Sequence, residues 1–222
     1  YQMNIQLPQY REFLIVILKV VKRIILASQS PRRKQLLLAM GVEFETIPSE
    51  FEEYLDDARD AELVAGELAL GKALDVAKRF PDAYVIGSDT IVTIDGHQLA
   101  KPESEKEAYD MLKSLAGRPN YVTTGVAVVC IKENVRLAKA ATAAVFFKEY
   151  DEQKVKAYIA TGDPFDKAGG YAIQHPMVKQ MIERIEGDRD IIMGLPTKVV
   201  ASLLSQCRVN TEPVDGESLE NL

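Results

Sequence analysis

The stretch LASQSPRRKQLL places Ser28, Ser30, Pro31, Arg32 and Arg33 between an apolar run and an apolar-periodic segment. Ser30 is a good helix N-cap and Pro31 suits the first helical position, so the two arginines open a helix. The macrodipole already makes that end positive, and two further positive charges work against local stability. The placement makes chemical sense if a strong anion binds there. Free backbone N–H groups, the dipole and bidentate guanidinium contacts would then converge on one ligand, and a phosphate fits that description. The glycine-rich run and GK[ST] of a Walker loop are missing. A solvated pair of surface arginines is the bland alternative, and the stretch alone does not decide between the two.

Other groups suit the same chemistry. In VIGSDT an apolar strand delivers Asp89 at its carboxyl end, where α/β proteins bind ligands. A buried carboxylate must be satisfied, and a metal ion or a water awaiting deprotonation would do so; capping a turn is the alternative. Lys101 precedes a proline that fixes its loop. Lys72 lies in a long helical stretch beside Leu70 and Leu74. Most of the acidic run SEFEEYLDD reads as a solvated face, but one of its carboxylates, with Glu53 as the candidate, could join Asp89 on a divalent ion. Asp166 and Lys167 adjoin Ala168-Gly169-Gly170, where backbone can approach a ligand closely, though an ion pair in a turn gives the same pattern. The Gln174 amide can both donate to and accept from a base edge. His97 and His175 are the only histidines, show no serine–histidine–acid spacing and read as structural.

These residues need positioning elements. The spacing predicts a helix from Ser30 to Gly41 and a strand over VEFETIP. A long helix follows, from about Ala58 to Phe80, with Leu63, Leu70, Leu74 and Ala77 on one face. AYVIGSD reads as a buried strand ending at Ser88 and Asp89 and continued by TIVTI, with a hairpin signal at Asp95-Gly96. Ser104 to Leu115 is a helix opened by a capping box. Two long strands span about 121–131 and 135–147. A helix follows from Asp151 to Ala160, then short strands near 171–173 and 181–185 and a last helix from Pro196 to Cys207. Crossover and hairpin links alternate, so the class is α/β with a mixed sheet.

The 222 residues allow a sizeable core, and a net charge of −6 argues against general affinity for nucleic acid, so any basic site is local. Cys130 and Cys207 form no CxxC, which speaks against structural zinc and a disulfide framework and fits a reducing, cytoplasmic compartment. FLIVILKVVKRIILA is interrupted by Lys19, Lys22 and Arg23 before a membrane span is complete. We read residues 1–22 as an extension, with Phe13 to Val21 forming an extra element. Residues 23–207 read as one domain and 208–222 as a mobile acidic tail.

In their order these pieces resemble the Maf family of nucleotide pyrophosphatases. The resemblance rests on ILASQSPRRKQLL, SEFEE, Lys72, VIGSDTIV, AKP, LAGRPNYVTTGVAVV, YIATGDPFDKAGGYAIQ and IEGDRDIIMGLP, and runs from about Arg23 to Leu204. It implies an elongated mixed sheet with flanking helices and a cleft between two lobes, related to the inosine-triphosphate pyrophosphatases. It also implies cleavage of nucleoside triphosphates to monophosphate and pyrophosphate with a divalent cation, Mg or Mn, in a homodimer. Asp89 takes the place of the catalytic base and a metal ligand. Ser28, Ser30, Arg32, Arg33, Lys72, Lys101 and Lys167 form the implied phosphate clamp. Arg32, Thr90 and Gln174 stand at the three specificity positions, a combination similar to the branch acting on dTTP, UTP and modified pyrimidine nucleotides. The 7-methyl-GTP branch carries a tryptophan in the first motif, and this chain has none. Departures are His175-Pro176 where Gly-x-Gly is usual, Arg189 for a tyrosine, and Ala100 before the KP pair. Two other readings stay open: a catalytically weak nucleotide- or nucleic-acid-binding regulator of cell division, and an ITP-type pyrophosphatase.

Overall fold

A computed structural model describes residues 22–214. The element expected at Phe13 to Val21 lies outside the described residues. The strands are β1 (Ile24–Leu26), β2 (Glu45–Thr46), β3 (Tyr84–Ile94), β4 (His97–Leu99), β5 (Pro119–Cys130), β6 (Val135–Phe147) and β7 (Ile182–Glu186). The helices are α1 (Pro31–Ala39), α2 (Ala61–Arg79), α3 (Glu105–Leu115), α4 (Glu152–Ile159), α5 (Pro176–Met181), α6 (Arg189–Met193) and α7 (Thr197–Gln206).

Among the described residues the strands form one mixed sheet in the order β2-β1-β3-β5-β6-β7, with β4 pairing β3. β1 runs parallel to β2 and β3, whereas β3, β5, β6 and β7 are antiparallel neighbours. Strand alternation sends successive side chains to opposite faces and so creates two cores. Ile25, Val85, Ala127 and Val129 meet Ala69, Ala73 and Val76 of α2 on one face. Ile24, Leu26, Ile86, Val126 and Val128 join the larger core on the other, with Leu36, Leu112, Tyr158 and Leu203.

Several expected elements differ. VEFETIP contributes only Glu45–Thr46 as strand, and residues 171–173 form no strand. The buried face of α2 is not the leucine stripe: Leu63 is exposed, and Val64, Ala65, Leu68, Ala69, Lys72, Ala73, Val76 and Ala77 point inward. Close approach is the reason. A Cβ on Gly87 would lie 2.2 Å from the Ala69 carbonyl oxygen, and one on Gly125 would lie 2.1 Å from that of Ala65. The two glycines let α2 lie close to the sheet over Ala65, Ala69 and Ala73, while Leu68 is fully buried and Leu70 and Leu74 pack half-buried against the smaller core. Asp89 is not at a strand end; β3 continues unbroken through it, opposite Gly125. Within the stretch expected as tail, the Glu212 N–H donates to the Met40 carbonyl at 2.8 Å, and Val209 and Val214 pack on the core.

Candidate active site

The strand register explains where a ligand can enter. β1 covers β3 only at residues 84–86, and β4 covers it only at 92–94. Between them one edge of β3 loses its strand neighbour, and the chain leaving β1 turns away into Ser28 and α1. A cleft of about 620 Å³ opens there, at the point where parallel pairing gives way to antiparallel. Its lining includes Ser28, Ser30, Arg32, Arg33, Glu53, Lys72, Asp89, Thr90, Lys101 and Lys167. Gln174 is not among the lining residues.

Asp89 shares the α2 face of β3 with Val85 and Gly87. The tight seat of α2 on Gly87 brings Lys72 to it, Nζ to Oδ1 2.5 Å, with both side chains more than nine-tenths buried. The Lys72 ammonium also donates to Glu53 Oε1 at 2.6 Å. Phe51 lies over Gly71, where a Cβ would meet its ring at 2.4 Å, and so fixes the acidic strap above the helix. Lys101 Nζ reaches the other Glu53 oxygen at 3.4 Å. Four charges of alternating sign therefore run from the buried strand to solvent. Burial pushes the Asp89 carboxyl above its ordinary value, against the opposing pull of Lys72 and Arg33. Burial would raise Glu53 as well, but Lys72 and Lys101 outweigh it and hold that carboxyl low.

The two arginines separate. Arg33 is bound into the protein: Nε donates to the Gly194 carbonyl at 2.8 Å, and its terminal nitrogens donate to Ser28 Oγ and Thr90 Oγ1, each at 3.2 Å. Burial lowers its pKa. Arg32 lines the cleft, and among the described residues its guanidinium has no hydrogen-bond or ion-pair partner. Ser30 caps α1 by accepting from the Arg33 N–H at 3.4 Å. Lys167 is buried at the cleft wall, held by the Asp163 carbonyl and carboxylate and by Asp166.

A second layer escaped the reading of the sequence. Thr124 Oγ1 donates to the Ile191 carbonyl at 2.7 Å, which uses its one proton. The 3.0 Å contact between Thr90 and Thr124 must then have Thr90 as donor. With Arg33 donating to it, the Thr90 hydroxyl offers only remaining lone-pair capacity to the cleft. Ser88 is fully buried, with its hydroxyl between the Gly125 and Gly194 carbonyls at 2.9 and 2.8 Å. Gly194 holds φ +98°, and a side chain there would crowd Thr90 and Arg33. The one legible signal was the GLP turn after a short apolar run. Neither histidine reaches the cleft lining: His97 contacts Asp57, and His175 Nδ1 caps α5 by accepting from the Met177 N–H. Asp89 and Glu53 are oxygen donors converging on one cationic group. They are oxygen donors that the cleft has for a hard divalent ion; among the described residues no group of three or more His, Cys, Asp or Glu is placed to hold a metal.

Fold and site together define an α/β protein whose cleft gathers Arg32, Arg33, Lys72, Lys101 and Lys167 around one buried carboxylate. The chain belongs to the Maf-like family, whose model, described as Maf-like protein, matches residues 23–207. It is 41% identical over 185 residues to the dTTP/UTP pyrophosphatase of Syntrophus aciditrophicus, covering 83% of this chain and 90% of that one. It is 42% identical over 186 residues to the dTTP/UTP pyrophosphatase of Dictyoglomus thermophilum, covering 83% and 96%. The Staphylococcus aureus Ham1 protein aligns in structure with a TM-score of 0.39 at 14% identity, over 57% of this chain and 72% of the other. Among the described residues no helix is long and apolar enough to cross a membrane.

Proposed function

We propose that this protein hydrolyses nucleoside triphosphates to monophosphate and pyrophosphate, with dTTP and UTP as its substrates, as a cytoplasmic homodimer using a divalent cation. The observation that carries the reading is the buried Asp89–Lys72 pair at the gap in the β3 edge, flanked by the cationic start of α1. A triphosphate supplies the negative charge that Arg32 and Arg33 lack, and the names of the relatives support the pyrimidine substrates. Arg32 and Lys101 reach the phosphates with their side-chain charges, joined by the Arg32 N–H, the one N–H of the first turn of α1 that neither proline nor Ser30 takes up. Asp89 accepts the proton of the water that attacks the α-phosphorus; the bond to the bridging oxygen breaks, and pyrophosphate leaves with that oxygen. Asp89 and Glu53 would hold the divalent ion, which when bound withdraws charge from the phosphoryl oxygens. Gln174 and Thr90 complete the proposal as base-selecting groups.

Pyrophosphate release from a panel of UTP, dTTP, CTP, ITP, ATP and 7-methyl-GTP with magnesium tests this. Fastest turnover of UTP or dTTP is expected. A preference for ITP or another purine nucleotide overturns the substrate assignment, and nucleotide binding without pyrophosphate release overturns the reaction.

A further inference from the structure

Lys72 occupies an unusual station for a phosphate-binding lysine, since its ammonium is bound to the two carboxylates that the proposed function assigns to a divalent ion. It lies 2.5 Å from Asp89 and 2.6 Å from Glu53, with its own side chain 9% exposed. A divalent ion on the same oxygens would face the ammonium at close range in a poorly solvated site, where repulsion between like charges is strong. The charges of Asp89, Lys72, Glu53 and Lys101 already cancel, so nothing in this row calls for a further cation.

We propose that Lys72 is a built-in counter-cation that closes the Asp89–Glu53 pair to a free divalent ion and opens it when nucleotide phosphates draw the ammonium away. This rests on the proposed pyrophosphatase reading. The parts that move and those that stay are distinct. Asp89 is fixed in β3, and the Lys72 backbone is fixed by the seat of α2 against Gly87. Freedom remains in the four-carbon lysine stem and in the half-exposed Glu53 side chain. The triphosphate offers Lys72 a stronger anionic partner than either carboxylate. The device makes divalent-ion binding depend on nucleotide, so the enzyme without substrate ignores the free cation pool.

The test is Mn²⁺ titration of the nucleotide-free protein, followed by electron paramagnetic resonance, which reads binding without turnover. Lys72→Met keeps the apolar stem and removes the charge. It should bind one Mn²⁺ at least about tenfold more tightly than wild type, the scale expected when a close charge interaction is removed. Adding Asp89→Asn to that variant should abolish the gain. Equal or weaker binding by folded Lys72→Met, or a gain that survives Asp89→Asn, overturns the proposal. Lys72→Gln is the second neutral variant, with the same expectation, in case the methionine variant fails to fold. Wild type supplies a measurement free of substitutions: Mn²⁺ binding as tight without nucleotide as with a non-hydrolysable UTP analogue also overturns the proposal. A protein that fails to release pyrophosphate from UTP yet shows the Lys72 effect would separate the two readings.

Discussion

Arg32 and Arg33 are neighbours in the chain and opposites in the fold. Arg33 spends its guanidinium on Gly194, Ser28 and Thr90, and Arg32 faces the cleft. Arg32→Ala should therefore lose about 2–4 kcal/mol of transition-state stabilisation, read from kcat/KM, with an unchanged melting temperature. Arg33→Ala should instead lower folding stability by at least about 2 kcal/mol, since it strands buried acceptors. Reversed results would exchange the two roles. Asp89→Asn should cut turnover by about 10²–10⁴-fold, the worth of a positioned base, and still fold, because Glu53 remains as a partner for Lys72. An active amide variant would place the base elsewhere. The residue types of this chemistry were legible in the sequence: an anion-seeking helix start, a buried strand aspartate and scattered lysines. Their division of labour was not. What separates Arg33 from Arg32 is a carbonyl at Gly194, and what immobilises Lys167 is the turn holding Asp163; neither is readable from local pattern.

The helix α2 decides the site more than any loop does. Its existence followed from periodicity, but its inward face did not, because the leucine stripe competes with a rule of close approach that only the folded sheet imposes. Gly87 and Gly125 set the distance between helix and sheet, and that distance sets whether Lys72 reaches Asp89. Two alanine substitutions should then have opposite signs. Gly87→Ala must displace backbone and should cost about 1–3 kcal/mol, with a fall in kcat as Lys72 retreats. Gly66, on the same helix, has open space around its Cβ position, and Gly66→Ala should stabilise by about 0.4–1 kcal/mol. Denaturant midpoints for both variants check this, and equal signs would refute the packing argument. The strand read at residues 171–173 failed for a related reason. Tyr171 is buried by its own hydrogen bond to Asn120 Oδ1 at 2.7 Å and by an edge contact with Phe147, so its apolar neighbourhood needs no strand pairing.

For the molecule as a whole, two buried or half-buried aspartates should pull stability in opposite directions with pH. Asp89 has a folded pKa above its ordinary 3.8, so its contribution is fully present below that value and is lost as pH rises through the folded one. Burial would raise Asp163 too, but the Tyr158 hydroxyl and the Lys167 ammonium outweigh it and leave that carboxyl low. Its contribution is present above 3.8 and is lost as pH falls through the lowered value. Relative to wild type, Asp89→Asn should gain stability as pH climbs from 3 to 7, and Asp163→Asn should lose it. Urea unfolding across that range measures both, and parallel curves would contradict the assignment. Fold class was legible because helices and strands alternate along the chain. The gap in the β3 edge was not, because it depends on how briefly β1 and β4 pair, which is a matter of register.

The carbonyl of Gly194 accepts from Arg33 and shares the one proton of the Ser88 hydroxyl with the Gly125 carbonyl, so it joins residues carried by different elements and far apart in the chain. Evolution cannot alter one of the three freely. Losing Arg33 or Ser88 leaves the carbonyl short of a donor, and a side chain at 194 crowds Arg33 and Thr90. Substitutions at these positions should show strong epistasis: in double-mutant cycles, Arg33→Ala with Ser88→Ala should cost clearly less than the sum of the single losses. Sequence drift would have to carry the trio as one inherited unit, even though only Arg33 and Gly194 line the cleft.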